Sequence, residues 1–266
     1  MDLYTLKQFA KSSIPSRYYA HFMEAYLFFS RPMASLLSAG DKYSCPFCKH
    51  SFSRFIPSGI KADVLTQNQV IGAGYRKNAI CPSCLSTDRE RLVYLFLQER
   101  KLLVPSLSIL HIAPERNLKR VFKEKGLQCV FADKESPSAP VKMDVQTIPF
   151  PNNSFDAIIC NHVLEHVAND RQAMNELHRV LKPNGWAILQ VPYSPIVGKT
   201  LEDPTCTSPK SREKQFGQSD HVRLYGRDYV DRLKESGFIV QQETVHSGDA
   251  QRYALNPREK VFFLKK

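Results

Sequence analysis

Apolar positions recur at helical spacing near the start of the chain, where Tyr18, Phe22, Tyr26 and Phe29 share a face before Pro32 interrupts and Gly40 closes the segment. This predicts an N-terminal amphipathic helix within residues 1–40. Periodicity then stops from residue 41 to about 88, where Pro, Gly, Ser and Cys rise, and resumes as a helix through Leu92, Leu95, Phe96 and Leu103. From Ser108 onward short apolar runs alternate with helical patterns. Strands are predicted at 108–112, 128–132, 155–160, 186–191, 238–243 and 260–264, and helices at 117–125, 168–181 and 226–236. The polar, Pro-rich stretch from Pro192 to Asp220 reads as a long loop. Such alternation predicts an α/β, Rossmann-like architecture, a mostly parallel sheet with helices on both faces. The expected division is residues 1–40 as a helical segment, 41–104 as a small module with a connecting helix, and 105–266 as the α/β domain.

Composition narrows the class. With 266 residues, 42% hydrophobic and 24% charged, the chain matches globular averages and excludes disordered and multispan membrane proteins. Met1 to Ala10 lacks the uninterrupted apolar run of a secretory signal. Tyr18 to Leu37 contains His21, Glu24, Arg31 and Pro32 and falls short of a membrane span. A cytoplasmic protein without stable membrane insertion is expected. The net charge of +11 invites a nucleic-acid partner. Residues 1–104 hold 14 Lys and Arg against 7 Asp and Glu, and residues 105–266 hold 23 against 19, excesses of +7 and +4. The surplus forms no run, which weakens that inference.

Cysteine spacing is more specific. Cys45-Pro46-Phe47-Cys48 and Cys81-Pro82-Ser83-Cys84 are two Cys-x-x-Cys pairs separated by residues 49–80. Each pair aims two sulfurs at one point, and together they supply a complete tetrahedral thiolate set for structural Zn2+, with no open position for a substrate. A redox pair would leave the second pair unexplained. Cys129, Cys160 and Cys206 have no partner spacing and read as packing residues.

The chemistry of the α/β domain is expected at the carboxyl ends of its strands. The first strand runs into His111-Ile112-Ala113-Pro114-Glu115, and the second ends at Asp133, 20 residues past Ala113, where an acidic side chain in such folds accepts hydrogen bonds from ribose hydroxyls. Two further blocks follow. Asp144 to Asp156 reads DVQTIPFPNNSFD, and Asn161 to Val167 reads NHVLEHV. With the later stretch Glu176 to Trp186, ELHRVLKPNGW, these residues resemble class I S-adenosylmethionine-dependent methyltransferases from about residue 108 to the end. The N-terminal module is similar to that of uncharacterised zinc-ribbon methyltransferases.

The resemblance implies S-adenosyl-L-methionine as cofactor. Asp133 would hold its ribose hydroxyls, Asp144 its adenine amino group, and the Val145 backbone N–H an adenine ring nitrogen. Asn161 and His162 would line the methionine end. The family's glycine-rich turn is replaced by His111 to Asn117, which contains no glycine. The cofactor carries no phosphate for glycines to cradle, so the loss is survivable; Ala113 and Glu115 are expected to bind the cofactor, Glu115 by pairing with the ammonium.

A hydroxyl acceptor also needs a base. Gln218 to Gly226 supplies His221 as candidate base, Asp220 as its orienter, and Arg223 and Tyr225 as acceptor contacts; His221 and Arg223 can equally tie the loop to the sheet. His166 is a weaker acceptor contact. His162-Val163-Leu164-Glu165-His166 also fits His-x-x-Glu-His, and is read here without metal because His162 falls at a strand end. The leading expectation is an enzyme methylating a small molecule, such as a sugar hydroxyl. RNA methylation, with the zinc module touching RNA, and a non-catalytic interaction protein are the alternatives.

Overall fold

The computed structural model describes residues 32–137 and 139–266. The predicted helix around Tyr18 to Phe29 lies outside the described residues. The rest resolves into two compact units that share the chain discontinuously.

One unit comprises the described residues up to Lys61 together with Tyr75–Leu95 and Val245–Pro257. Strand β1 (Ala39–Ser44) pairs antiparallel with β2 (Ser51–Phe52), and β3 (Ile56–Ser58) with β4 (Arg76–Ile80). Its core is aromatic: Phe47 stacks on Tyr94 with ring centroids 4.4 Å apart, and Phe52 meets Phe55 edge-on at 5.9 Å. Beneath them lies the fully buried guanidinium of Arg91. It donates to the carbonyls of Asn78, Ala79, Ser86, Tyr253 and Ala254 and sits 4.5 Å from the Phe55 ring. Five carbonyl contacts satisfy the five guanidinium donors, which makes burial of this charge tolerable.

The other unit comprises Ala62–Gly74, Phe96–Thr244 and Arg258–Lys266. These bounds correct the continuous division expected from sequence. Residues 62–74 and 96–104 fold with the sheet, and 245–257 fold with the cysteine module. The segment Ala62–Gly74 carries the short helix α1 (Asp63–Gln67) and exchanges backbone hydrogen bonds between Ile71 and Tyr193. The connecting helix α2 spans Asp88–Glu99, and the division falls inside it.

The sheet is built from β5 (Ser108–Ile112), β6 (Gln128–Asp133), β7 (Val141–Lys142), β8 (Phe155–Asn161), β9 (Leu181–Gln190), β12 (Ile239–Thr244) and β13 (Lys260–Lys265). Its order is β12-β13-β9-β8-β5-β6-β7. All pairs are parallel except those of β13, which runs antiparallel to both β9 and β12. Strand order reverses between β5 and β8, the switch point at which such sheets open a crevice.

Both faces are covered, so the inner strands β5 and β8 are mostly apolar, with hydrogen-bonded exceptions such as His111, Asp156 and Asn161. Leu110, Ile112, Ile158 and Cys160 pack with Ala173, Met174 and Leu177 of α4 (Asp170–Val180) and with Tyr229 and Leu233 of α6 (Tyr229–Glu235). On the opposite face His111 meets Phe122 of α3 (Arg116–Glu124), ring centroids 5.5 Å apart. Most predicted elements appear within two residues of their expected ends.

The stretch expected to be a loop holds further structure. Strand β10 (Leu201–Glu202) pairs with β11 (Arg223–Leu224), and α5 (Pro209–Phe216) lies between them. Ser208 caps α5 through the Ser211 N–H, and Gly217 ends it at φ 87°. A side chain at Gly217 would meet Leu65 at 2.5 Å, so only glycine satisfies both the turn and the packing. Helix α7 (Ser247–Arg252) belongs to the cysteine unit.

Candidate active site and four-cysteine centre

At the carboxyl ends of β5, β6 and β8 a cavity of about 520 Å³ opens. Ile112, Ala113, Met143, Val145 and Val163 give it apolar walls, and Asp133, Asp144, His162, His166 and Asp220 its polar groups. Backbone conformation shapes this floor. Ala113, directly after β5, has φ 46°, and His162, directly after β8, has φ 55°. Left-handed conformations cost a residue with a Cβ about 1–2 kcal/mol, and each is held by a hydrogen bond from its N–H. Ala113 donates to Ala132 O at 2.9 Å and His162 to Gln190 O at 2.7 Å. Ala113 thus performs the chain reversal with a methyl group in place.

Behind that turn lies a polar triad. Glu115 Oε2 is 2.6 Å from His111 Nε2, and Glu115 Oε1 accepts from Asn161 Nδ2 at 2.8 Å. Burial alone would raise the Glu115 carboxyl, but the His111 bond and charge together with the Asn161 bond hold it below the usual range. Both oxygens are therefore engaged inside the fold. This corrects the expectation that Glu115 pairs directly with a bound ammonium. The buried atom left over is Asn161 Oδ1, which has no hydrogen-bond partner.

At the other end the two aspartates are arranged by their own backbones. Asp133 Oδ1 accepts from the N–H groups of Glu135 and Ser136 at 2.8 and 2.7 Å, closing the turn after β6. Asp144 Oδ1 accepts from Gln146 N at 2.9 Å, and its Oδ2 is paired with Lys134 Nζ at 2.9 Å. Burial works against the Asp144 anion, yet the Gln146 N–H and the Lys134 ammonium keep its carboxyl below the ordinary range. Val145, beside it, lines the cavity.

The segment after β8 meets residues 218–225 at the remaining wall. Glu165 is 2% exposed, and its carboxyl lies near 2: burial would raise it, but the His162 hydrogen bond and the neighbouring imidazoles prevail. His166, on the cavity wall, has its Nδ1 3.2 Å from the Asp220 carbonyl oxygen and 3.6 Å from Asp220 Oδ2. The rings of His166 and His221 stand perpendicular with centroids 4.7 Å apart. His221 is buried, with Nε2 2.8 Å from Gln218 Nε2. The Asp220 carboxylate thus accompanies His166, and the expected pairing of Asp220 with His221 is corrected.

Arg223 and Tyr225, expected as acceptor contacts, are also corrected. Arg223 donates to the carbonyls of Leu164, Val167 and Ala168, and the Tyr225 hydroxyl donates to Asp170 at 2.9 Å. Both side chains are buried and engaged away from the cavity lining.

In the cysteine unit, Cys45 Sγ lies 3.5 Å from Cys84 Sγ, and Cys48 Sγ lies 3.7 Å from Cys81 Sγ. All four sulfurs fall within 4.8 Å of one another. A tetrahedron of sulfurs about 2.3 Å from a zinc ion has an edge of about 3.8 Å, so the donor set fits that ion. The two halves repeat one design. The N–H of Cys45 donates to His50 O and that of Cys81 to Ser86 O, while Lys49 and Leu85, each four residues on, turn back with φ 64° and 61°. Four thiols so close cannot all ionise unaided. Sharing protons lowers Cys45 to about 6 and Cys48 further, and raises Cys81 and Cys84.

Residues 115–189 match the family model described as a methyltransferase domain. Over that segment the chain is similar to methyltransferase domains. Among curated relatives, it is 39% identical over 49 residues to the ubiquinone/menaquinone biosynthesis C-methyltransferase UbiE of Coxiella burnetii, covering 18% of this chain and 20% of that protein. It is 33% identical over 78 residues to the uncharacterized methyltransferase YcgJ of Bacillus subtilis, covering 29% and 28%. The chain thus spans less than a third of the length of these relatives. Among solved structures, 1,6-didemethyltoxoflavin-N1-methyltransferase of Burkholderia thailandensis, with bound 1,6-didemethyltoxoflavin and S-adenosylhomocysteine, is 16% identical. That match covers 64% of this chain and 75% of the other, with a TM-score of 0.45.

In the sheet unit, Ala113, Asp133, Asp144, Val145 and His162 line the cavity, whereas Glu115 and Asn161 stand behind it. Lys134, Gln146 and Val163 also line it and were missed by sequence reasoning. Lys134 and Gln146 adjoin or bond to the two aspartates, and proximity in sequence was the available signal. Ile71 and Gly72 approach from the segment between the cysteine pairs. A side chain at Gly72 would lie 3.6 Å from His162 Cε1, and nothing in the sequence marks that contact.

Proposed function

We propose that the chain is an S-adenosylmethionine-dependent methyltransferase acting on a small molecule, with a hydroxyl of a sugar or related metabolite as acceptor, and with structural zinc on Cys45, Cys48, Cys81 and Cys84. The observation that carries this reading is the cavity at the sheet's switch point, acidic at one end and apolar in the middle. Asp133 keeps Oδ2 for the ribose hydroxyls, because Oδ1 is engaged by the turn. Asp144, paired with Lys134 Nζ, would accept from the adenine amino group and the Val145 N–H would donate to a ring nitrogen, with Met143 and Val163 as apolar lining. Asn161 Oδ1, buried and unpartnered, suits the ammonium of the methionine end, with Glu115 fixing the amide's orientation. When bound, the cofactor supplies an electrophilic methyl group on a sulfonium. The protein's own contribution is to hold the acceptor in line with it, against the wall made by His162, His166 and Asp220.

No helix among the described residues is long and apolar enough to cross a membrane. Four closely grouped reduced cysteines suit a reducing compartment, and the cytoplasm is the location this reading expects.

Calorimetry with S-adenosylmethionine tests the cofactor. Binding is expected, weakened about tenfold, or roughly 1.4 kcal/mol, in Asp144→Ala. Labelled cofactor offered with sugar nucleotides and total RNA tests the acceptor. Transfer to RNA alone overturns the small-molecule reading, and absence of cofactor binding overturns the enzyme.

A further inference from the structure

We infer that Glu165, His166 and His221 form a second metal site, distinct from the four-cysteine centre, which takes a divalent transition-metal ion at the acceptor end of the cavity. Each of the three offers a ligand atom, and these atoms lie within 4.8 Å of one another. They converge from two parts of the chain. Glu165 and His166 stand in the 3-10 turn Leu164–His166 that follows β8. His221 stands just before β11, and the Val222 N–H bond to Glu165 O, 2.9 Å, holds the two parts in register.

An independent observation points to a ligand. Glu165 is 2% exposed, and its Oε2 is buried with no hydrogen-bond partner, although Oε1 lies 3.3 Å from His162 Nδ1. A buried carboxylate with one bare oxygen forfeits hydration, and a cation restores the loss. The charged and titratable groups near the cluster include His162 and Cys160 at the end of β8, Asp220 in the loop before β11, and Tyr229 of α6. None of them donates to Glu165 Oε2.

The donor set specifies the class of ion. Two imidazoles and one carboxylate suit Mn2+, Fe2+, Co2+ or Zn2+ better than Mg2+ or Ca2+, which prefer oxygen alone. Three protein ligands leave coordination positions open, as at catalytic centres and unlike the closed set of four cysteines. His166 and Asp220 both line the cavity, so the open positions face the space left for an acceptor.

The metal's role rests on the methyltransferase reading; its binding does not. A hydroxyl oxygen held on the cation gives up its proton more readily. That proton leaves to solvent, the new O–CH3 bond forms as the S–CH3 bond breaks, and the electron pair of the broken bond stays on sulfur.

The test uses full-length protein carrying its zinc, titrated with Mn2+ and followed by electron paramagnetic resonance. Oxygen and nitrogen ligands bind this ion better than the cysteine centre does. One Mn2+ per chain is expected, with affinity at least about 100-fold weaker in His166→Ala and in His221→Ala. His166 is exposed, so His166→Ala keeps the test valid if the buried His221 variant fails to fold. No Mn2+ binding, or binding unchanged in His166→Ala, overturns the inference. Calorimetry with S-adenosylmethionine on the same samples separates the two readings. If the unaltered protein binds S-adenosylmethionine but no Mn2+, the metal site alone is refuted; if it binds Mn2+ but no S-adenosylmethionine, the methyltransferase reading is refuted and the metal site stands.

Discussion

Ala113 is the residue at which this chain departs most from its resemblance, and its geometry says what the departure costs. A glycine-rich turn exists to reach left-handed conformations freely, and Ala113 reaches φ 46° with a methyl group instead. Ala113→Gly removes a left-handed penalty of about 1–2 kcal/mol and adds about 0.4–1 kcal/mol of unfolded-chain entropy. The expected result is a protein unchanged or stabilised by up to about 1.5 kcal/mol in urea unfolding, with cofactor affinity within about threefold. A marked loss of stability would mean that the methyl group packs against something essential. His111, buried in β5, is bound four residues on by the Glu115 carboxylate. Sequence alone exposes the missing glycines. It does not reveal that Glu115 turns inward, because the partner that draws it there, Asn161, is 46 positions away.

At the scale of elements, hydrophobic periodicity identified the sheet and its covering helices because their inner faces are continuous apolar surface. It missed α5, of which only Phe216 is buried. The legible signal there was the Ser208 cap, Pro209 in the first turn and Gly217 at the end, a capping pattern rather than an apolar one. The short pair β10–β11 was invisible for a related reason, since its value lies in charge. Arg223 donates to three carbonyls of the segment after β8, and Arg232 meets Asp170 at 2.9 Å and Glu202 at 2.8 Å. Arg223→Met leaves those carbonyls without their charged donor, while Asp170 keeps Arg232 and the Tyr225 hydroxyl, and should cost about 1–3 kcal/mol in urea unfolding. If Arg223 served instead as an acceptor contact, KM for the acceptor would rise with stability preserved.

For the whole molecule, the two cysteine pairs were the most legible feature, because four ligands at fixed spacing admit few other uses. The segment between them was not legible, since its destination depends on tertiary pairing of Ile71 with Tyr193. Metal held by these thiols, as proposed, would contribute folding free energy directly. Cys81→Ser should therefore lower bound zinc from about one ion per chain and, in the same samples, the thermal midpoint. Retention of both would overturn the four-thiolate assignment. The excess of basic residues, +7 in residues 1–104 and +4 in the remainder, decides no partner by itself.

The chain passes from one unit to the other after residues 61, 74, 95, 244 and 257. A gene for either unit alone cannot be cut from this one as a single stretch. Moving the cysteine unit into another chain would require transplanting three separate segments at once.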